Sequence, residues 1–175
     1  SGSFYKYVNN DLITDELIFE NDSHEYETHI KSELFYQLSS QNNIFFGASG
    51  KYIQILNKLY LRADTSMFGD PFPETKIDTR DNFFKSSVFT QYTLKLLRDK
   101  LILNSGLRLD YFSVLDKKSV VSPRFGFSYK ITPVTTLSGS TGIYYQSPEN
   151  IWLTTNPANK KSKYIKAYHY VAGIE

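Results

Sequence analysis

The sequence predicts an all-β chain: an antiparallel, up-and-down transmembrane β-barrel to which it contributes about eight strands. Three observations predict this. Apolar residues recur with a period of two, short and long links alternate, and the aromatic residues keep to one side of each strand.

Composition sets the outer bounds. The 175 residues suffice for one domain with a core, and 41% hydrophobic against 22% charged residues excludes a disordered chain. Fourteen Tyr and 13 Phe accompany a single Trp, an aromatic excess suited to pleated surfaces. A net charge of +2 supplies no field for a polyanion, so nucleic acid is not an expected partner. The absence of cysteine removes disulfides, thiolate catalysis and Cys-based metal sites. No apolar run approaches the roughly 20 residues of a membrane helix. The opening "SGS" resembles a cut edge, so the chain is expected to be part of something longer.

The period is clearest in "EYETHIKSELFYQL", residues 25–38. Tyr26, Thr28, Ile30, Ser32, Leu34, Tyr36 and Leu38 share one face. Glu25, Glu27, His29, Lys31, Glu33 and Gln37 take the other, with Phe35 the exception. Further strands are expected near 4–8, 44–55, 82–96, 101–114, 122–131, 136–146 and 165–175. Residues 39–43, 98–100 and 132–135 read as tight turns with Asn, Asp and Pro chemistry. Residues 9–24, 56–81, 115–121 and 147–164 read as longer links. Strict alternation of short and long is the asymmetry of an outer-membrane barrel.

Aromatic placement agrees. Tyr26, Tyr52, Phe84, Tyr111, Phe125, Tyr145 and Tyr168 lie near the long-link ends, and Tyr36, Phe46, Tyr92 and Tyr129 near the short-turn ends. The ten-residue step from Tyr26 to Tyr36 corresponds to roughly 23 Å of depth in a tilted strand. An apolar band of about 25 Å with an aromatic girdle at each edge is expected of such barrels. The apolar face would meet lipid and the polar face a wet lumen. Glu27, His29, Lys31, Glu33, Arg108, Asp110, Arg124, Lys130, His169 and Glu175 are the lumen-facing candidates.

The last 75 residues carry more specific patterns. These are "NSGLRLDYFS" (104–113), "SPRFGFSYKITPVTTLSGSTGIYYQSP" (122–148) and "KAYHYVAGIE" (166–175). Gly106-x-Arg108-x-Asp110, Ser122-Pro123-Arg124, Thr132 through Leu137, Tyr145-Gln146-x-Pro148 and Tyr170-x-x-Gly173-x-Glu175 follow in order. In order and spacing, this resembles the barrel of TonB-dependent outer-membrane receptors; residues 1–100 carry only the generic pattern. The resemblance implies a segment of such a barrel over 1–175, with the plug domain and the remaining strands absent from the sequence. It implies uptake of a scarce nutrient such as a ferric siderophore, vitamin or oligosaccharide across a bacterial outer membrane. It also implies the partners: outer-membrane lipid and lipopolysaccharide, the plug and remaining strands of the parent receptor, TonB through the missing N-terminal part, and a small-molecule ligand. The lumen-facing charges become plug-contact candidates, and Tyr60, Arg62, Phe68, Phe72 and Trp152 become extracellular-loop ligand candidates.

Other motifs carry less. "HEYETH" (24–29) has one residue too many for a zinc-protease signature, and on a strand its histidines face opposite sides. "GASG" and "GSTG" open no helix, and Gly126-Phe127-Ser128 is no nucleophile elbow. No enzyme, metal or cofactor is expected. Arg108 and Asp110 also fit a plain ion ladder, and "NKKSKYIK" (159–166) a solvated loop or a contact for lipopolysaccharide. A self-contained small structural or adhesive barrel and a soluble β-sandwich binding module are the alternative readings.

Overall fold

The computed structural model describes residues 2–10, 15–65, 68–150, 153, 159 and 161–175. Its strands are β1 (Gly2–Asn10), β2 (Leu17–Gln37), β3 (Asn42–Leu61), β4 (Asp64–Thr65), β5 (Pro71–Phe72), β6 (Thr75–Leu96), β7 (Leu101–Phe112), β8 (Ser119–Thr132), β9 (Thr135–Gln146) and β10 (Ile165–Ile174). Eight of them form one sheet in the order β1-β2-β3-β6-β7-β8-β9-β10, and β4 pairs with β5 apart from it. Sequence neighbours are thus sheet neighbours, and the registered pairs are antiparallel. The chain is all-β and up-and-down, as its period requires, and the sheet is open, with β1 and β10 at its two ends.

The expected links are too long. Residues 9–24 were to be a link, yet β2 starts at Leu17; 56–81 were another, yet β3 runs to Leu61 and β6 begins at Thr75. Likewise β8 begins at Ser119, inside the expected link 115–121. β2, β3 and β6 reach 21, 20 and 22 residues. The cause is local. "LIFENDSHE" is apolar on both sides at Leu17-Ile18-Phe19 and polar on both sides from Glu20, so it shows no period of two, but backbone pairing continues regardless. Cross-strand charges support that pairing: Lys6 Nζ lies 3.7 Å from Asp22 and 3.9 Å from Glu20.

Each tight turn has its own closure. At 38–41 the Leu38 and Ser39 N–H groups donate to the Asn42 carbonyl at 2.9 and 3.2 Å. Ser39 Oγ in turn accepts from Gln41 N–H and Asn42 Nδ2. At 97–100, Leu97, Arg98 and Asp99 all adopt left-handed φ values of 53, 56 and 65°. Each such residue costs on the order of 1 kcal/mol without glycine, and the Leu96–Leu101 ladder pair over-determines the turn. At Pro133-Val134, Thr132 pairs with Thr135, and Val134 N–H donates to Thr132 Oγ1.

The fold divides into two compact units. One comprises Ser1–Thr28, Tyr52–Phe83 and Glu149–Lys160, and Ile53, Ile55, Phe83 and Leu153 are buried in it. The other comprises His29–Lys51, Phe84–Pro148 and Lys161–Glu175, with Phe112, Leu115 and Val120 buried.

Candidate functional site

Residues opposite one another in an antiparallel ladder point to the same side of the sheet, so register alone sorts the side chains of β6–β10. One face carries Val88, Leu94, Leu96, Leu101, Leu103, Leu107, Leu109, Val121, Phe125, Phe127, Tyr129 and Leu137, with small or hydroxylic residues between them. No charged residue stands on that face among the ladder-paired residues 86–96 of β6, 101–111 of β7, 119–129 of β8 and 137–145 of β9; Lys76, Asp78 and Arg80 share its parity in the earlier part of β6. On β10 one charged residue stands there, Lys166, opposite Tyr145. Val88, Leu107 and Val121 remain 47–51% exposed, so this face has apolar surface and no protein cover.

The opposite face is built differently. Lys85, Lys95, Arg108, Asp110, Arg124 and Lys130 all fall on it, among Ser, Thr, Asn and Gln. Its central row runs Gln91, Gly106, Arg124, Gly142, His169 across five strands. Two glycines flank Arg124 in that row, and they leave room for its long side chain. A Cβ at Gly142 would lie 3.2 Å from Arg124 Cγ and 3.0 Å from the Tyr144 ring. The guanidinium therefore lies over Tyr144, 4.5 Å from the ring centre, and Tyr144 packs on His169 at 4.5 Å.

One row away, Arg108 grips Asp110. Its Nε donates to both carboxylate oxygens at 2.9 Å, and a terminal nitrogen lies 2.8 Å from Oδ1. Arg108 is paired in the ladder with Ser122, which is buried. A hollow of about 400 Å³ opens over Gly106 and Gly126, walled by Gln91, Asn104, Arg108, Arg124 and Tyr144. Nearby, Thr93 Oγ1 donates to Asn104 at 2.7 Å, and the Ser49 and Ser87 hydroxyls meet at 2.8 Å. The arrangement offers donors, acceptors and two ring-stacked cations on one face of the sheet, Arg124 over Tyr144 and Lys85 over Phe112 at 4.2 Å. It contains no nucleophile–base pair, and no metal-binding cluster occurs among the described residues.

The remaining lumen-facing candidates fall as follows. Lys31 and Glu33 pair at 2.7 Å on the β2 parity that also carries His29 and Glu27. Lys130 sits at the short-turn end, its N–H donating to the Lys100 carbonyl. Glu175 extends the β9–β10 ladder through its own N–H and carbonyl to Thr136.

The loop candidates lie in the other unit. Tyr60 belongs to β3, beyond the expected strand end, with Lys76 Nζ 5.4 Å from its ring centre. The hydrogen bond and charge of Lys76 hold the Glu74 carboxyl below the usual carboxylate range. Arg62 pairs with Glu16 at 3.3 Å, Phe72 lies on β5, and Phe68 is 94% exposed. Trp152 lies outside the described residues.

Parity reasoning passed over the aromatic residues of the charged face. Phe89 packs on Phe45 at 5.4 Å, and a Cβ at Gly47 would collide with the Phe89 ring. The available signal was a glycine inside a strand, which marks a close approach.

The sequence profile of the family described as "TonB dependent receptor-like, beta-barrel" matches residues 2–172. No curated protein sequence is significantly similar to the chain. Among solved structures, a mutant ferric enterobactin receptor from Pseudomonas aeruginosa in complex with enterobactin is similar at TM-score 0.54 and 14% identity, over 87% of this chain and 22% of that one. The ferric enterobactin receptor in complex with BCV-L6 is similar at TM-score 0.57 and 15% identity, over 87% and 23%. P. aeruginosa FpvA bound to a heterologous pyoverdine with iron is similar at TM-score 0.58 and 13% identity, over 99% and 27%. The chain thus spans about a quarter of these receptors, and at such identities the likeness is one of fold. With its profile match running nearly end to end, the chain belongs to the TonB-dependent receptor-like β-barrel family, whose members are receptors and transporters and not enzymes.

Proposed function

We propose that the chain forms part of a TonB-energised receptor that imports a scarce nutrient across the bacterial outer membrane. One observation carries the reading: in the paired zone of β6–β9, from Lys85 onward, register gives one face without a charge and one face lined with charges. A lipid-facing exterior and a wet interior require that division. Family membership supports the receptor role. The solved relatives bear names of ferric siderophore receptors, which favours a ferric siderophore over a vitamin or oligosaccharide as cargo. The small-molecule ligand would meet the Tyr60, Arg62, Phe68, Phe72 and Trp152 region. The plug of the parent receptor would meet the charged face, with Arg108, Asp110 and Arg124 at its centre. TonB would act through that plug, and the missing strands would complete the barrel.

Growth of the source bacterium on candidate ferric siderophores, with the gene present and deleted, tests this. Loss of growth on one siderophore, restored by the intact gene, is the expected result. Equal growth on every siderophore, vitamin and oligosaccharide tried would overturn it. In the intact receptor, Arg108→Gln with Asp110→Asn should lower uptake several-fold while the barrel still inserts, since the pair holds its geometry by bidentate hydrogen bonds. Unchanged uptake would remove the pair from the plug contact.

A further inference from the structure

The short-turn end of β6, β7 and β8 carries strain that the fold alone does not call for. Leu97, Arg98 and Asp99 stand in succession at φ 53, 56 and 65°, where glycine would relieve them. Strain of that kind persists where the side chains it displays are used. This turn displays Arg98 and Lys100, both exposed. Lys130 N–H donates to the Lys100 carbonyl at 2.8 Å, which extends the β7–β8 ladder one step past Leu101 and Tyr129. Lys100 and Lys130 therefore stand across from each other, and like charges so placed repel. Lys95 follows one same-side rung further in, opposite Ile102. None of Lys95, Arg98, Lys100 and Lys130 has a carboxylate partner among the described residues. Asp99 is the carboxylate of the turn, and Glu175 ends the Lys130–Thr136 row two strands away, roughly 10 Å off. A strained turn and a self-repelling pair at one place point to an anion from outside the chain. Lys95 and Lys130 lie on the charged side, so that anion approaches from water and not from lipid. Thr136, Ser128 and Ser138 surround Lys130 there. Cations and hydroxyls with no aromatic anchor among them suit a charged polymer better than a folded protein.

We propose that this rim binds the stem-peptide carboxylates of peptidoglycan. The inference rests on the outer-membrane reading above, which turns the short-turn end toward the periplasm. A stem peptide carries several carboxylates within a few residues, and one of them bridges Lys100 and Lys130, about 5 Å apart across the ladder. Arg98, at the tip of the turn, takes the next carboxylate as a fork. The bound anions cancel the repulsion between the two lysines, and the contact holds the barrel mouth against the cell wall.

The test uses the full-length receptor in detergent, sedimented with purified insoluble peptidoglycan. Replacing Arg98, Lys100 and Lys130 by Gln should weaken binding on the order of tenfold, since each exposed ion pair contributes roughly twofold. Replacing Lys100 and Lys130 by Arg should leave binding intact. Peptidoglycan with its carboxyl groups amidated should hold wild type and Gln variant equally weakly. Equal sedimentation of both with native peptidoglycan would overturn the proposal. Tighter binding of the wild type to polyglutamate or to phosphatidylglycerol vesicles than to peptidoglycan fragments of equal charge would also overturn it, giving the rim to an acidic polypeptide or to lipid. Heat-shifted gel mobility is read on the same samples. A folded barrel that ignores peptidoglycan sinks the rim site alone, whereas a wild type with no heat-shifted form in detergent sinks the membrane reading with it.

Discussion

The two faces of the β6–β10 sheet are built from the same strands, one residue out of step. The face of Leu103, Leu107, Val121, Phe125 and Phe127 carries no charge among the paired residues of β6–β9; that of Arg108, Asp110, Arg124 and Lys130 collects it. A slip of one residue in any ladder would exchange them. The contrast teaches that here function is written in register. The apolar face is left uncovered at Val88, Leu107 and Val121, whereas Phe112, Val120 and Ser122 on the charged face are buried.

The largest effect should come from placing charge on the wrong side. Leu107→Arg should destabilise the folded barrel in a bilayer by about 2–4 kcal/mol. Ser128→Arg, on the charged face, should cost less than about 1 kcal/mol. Denaturant midpoints of the two variants in liposomes measure the difference, and equal costs would erase the distinction between the faces.

How much of this contrast was legible beforehand depended on the medium around each strand. Where the two faces meet different surroundings, the period of two appears, and β7, β8 and β9 could be placed within a few residues. Beyond that zone "LIFENDSHE" and "KIDTRDN" hold too few apolar residues to show an apolar period of two while remaining strand, which is why β2 and β6 outran their expected ends. Arg108 and Asp110 were legible as neighbours on one side, because residues two apart must share a face. The stacking of Arg124 on Tyr144 was not, since it depends on the gap at Gly142 in a strand next door. The β4–β5 pair was invisible for another reason: two residues per strand give no period.

A smaller effect tests packing within the apolar face. Gly139 lies opposite Phe127, and a Cβ there would come within 2.6 Å of its ring. Gly139→Val should displace the ring and cost about 1–3 kcal/mol, read as a lower unfolding midpoint. No change would mean the ring does not lie across the glycine.

Smaller still is the turn that locks the β6–β7 register. Asp99→Gly removes the left-handed strain at φ 65° and should stabilise by about 0.5–1 kcal/mol. A destabilised variant would show that the aspartate side chain contributes more than the strain removes.

The smallest expected signal is a titration. Burial, then the charge of Asp110, pushes the Tyr164 phenol up to about 12. The folded state therefore favours the protonated form. Its contribution is complete below the ordinary tyrosine value near 10 and is lost as pH rises toward 12. Tyrosinate absorbance, compared between wild type and Tyr164→Phe, should show one late-titrating group missing from the variant.

The central claim, that one face meets lipid and the other does not, has a direct measurement. These 175 residues hold no cysteine, so in a receptor whose other cysteines are replaced by Ser, single fluorescent labels can be attached at Leu107→Cys or Val121→Cys on one face and at Asn104→Cys or Ser128→Cys on the other. In full-length receptor reconstituted into liposomes with brominated acyl chains, the first pair should be quenched and the second should not. Equal quenching of all four, or quenching of the second pair alone, would contradict the account.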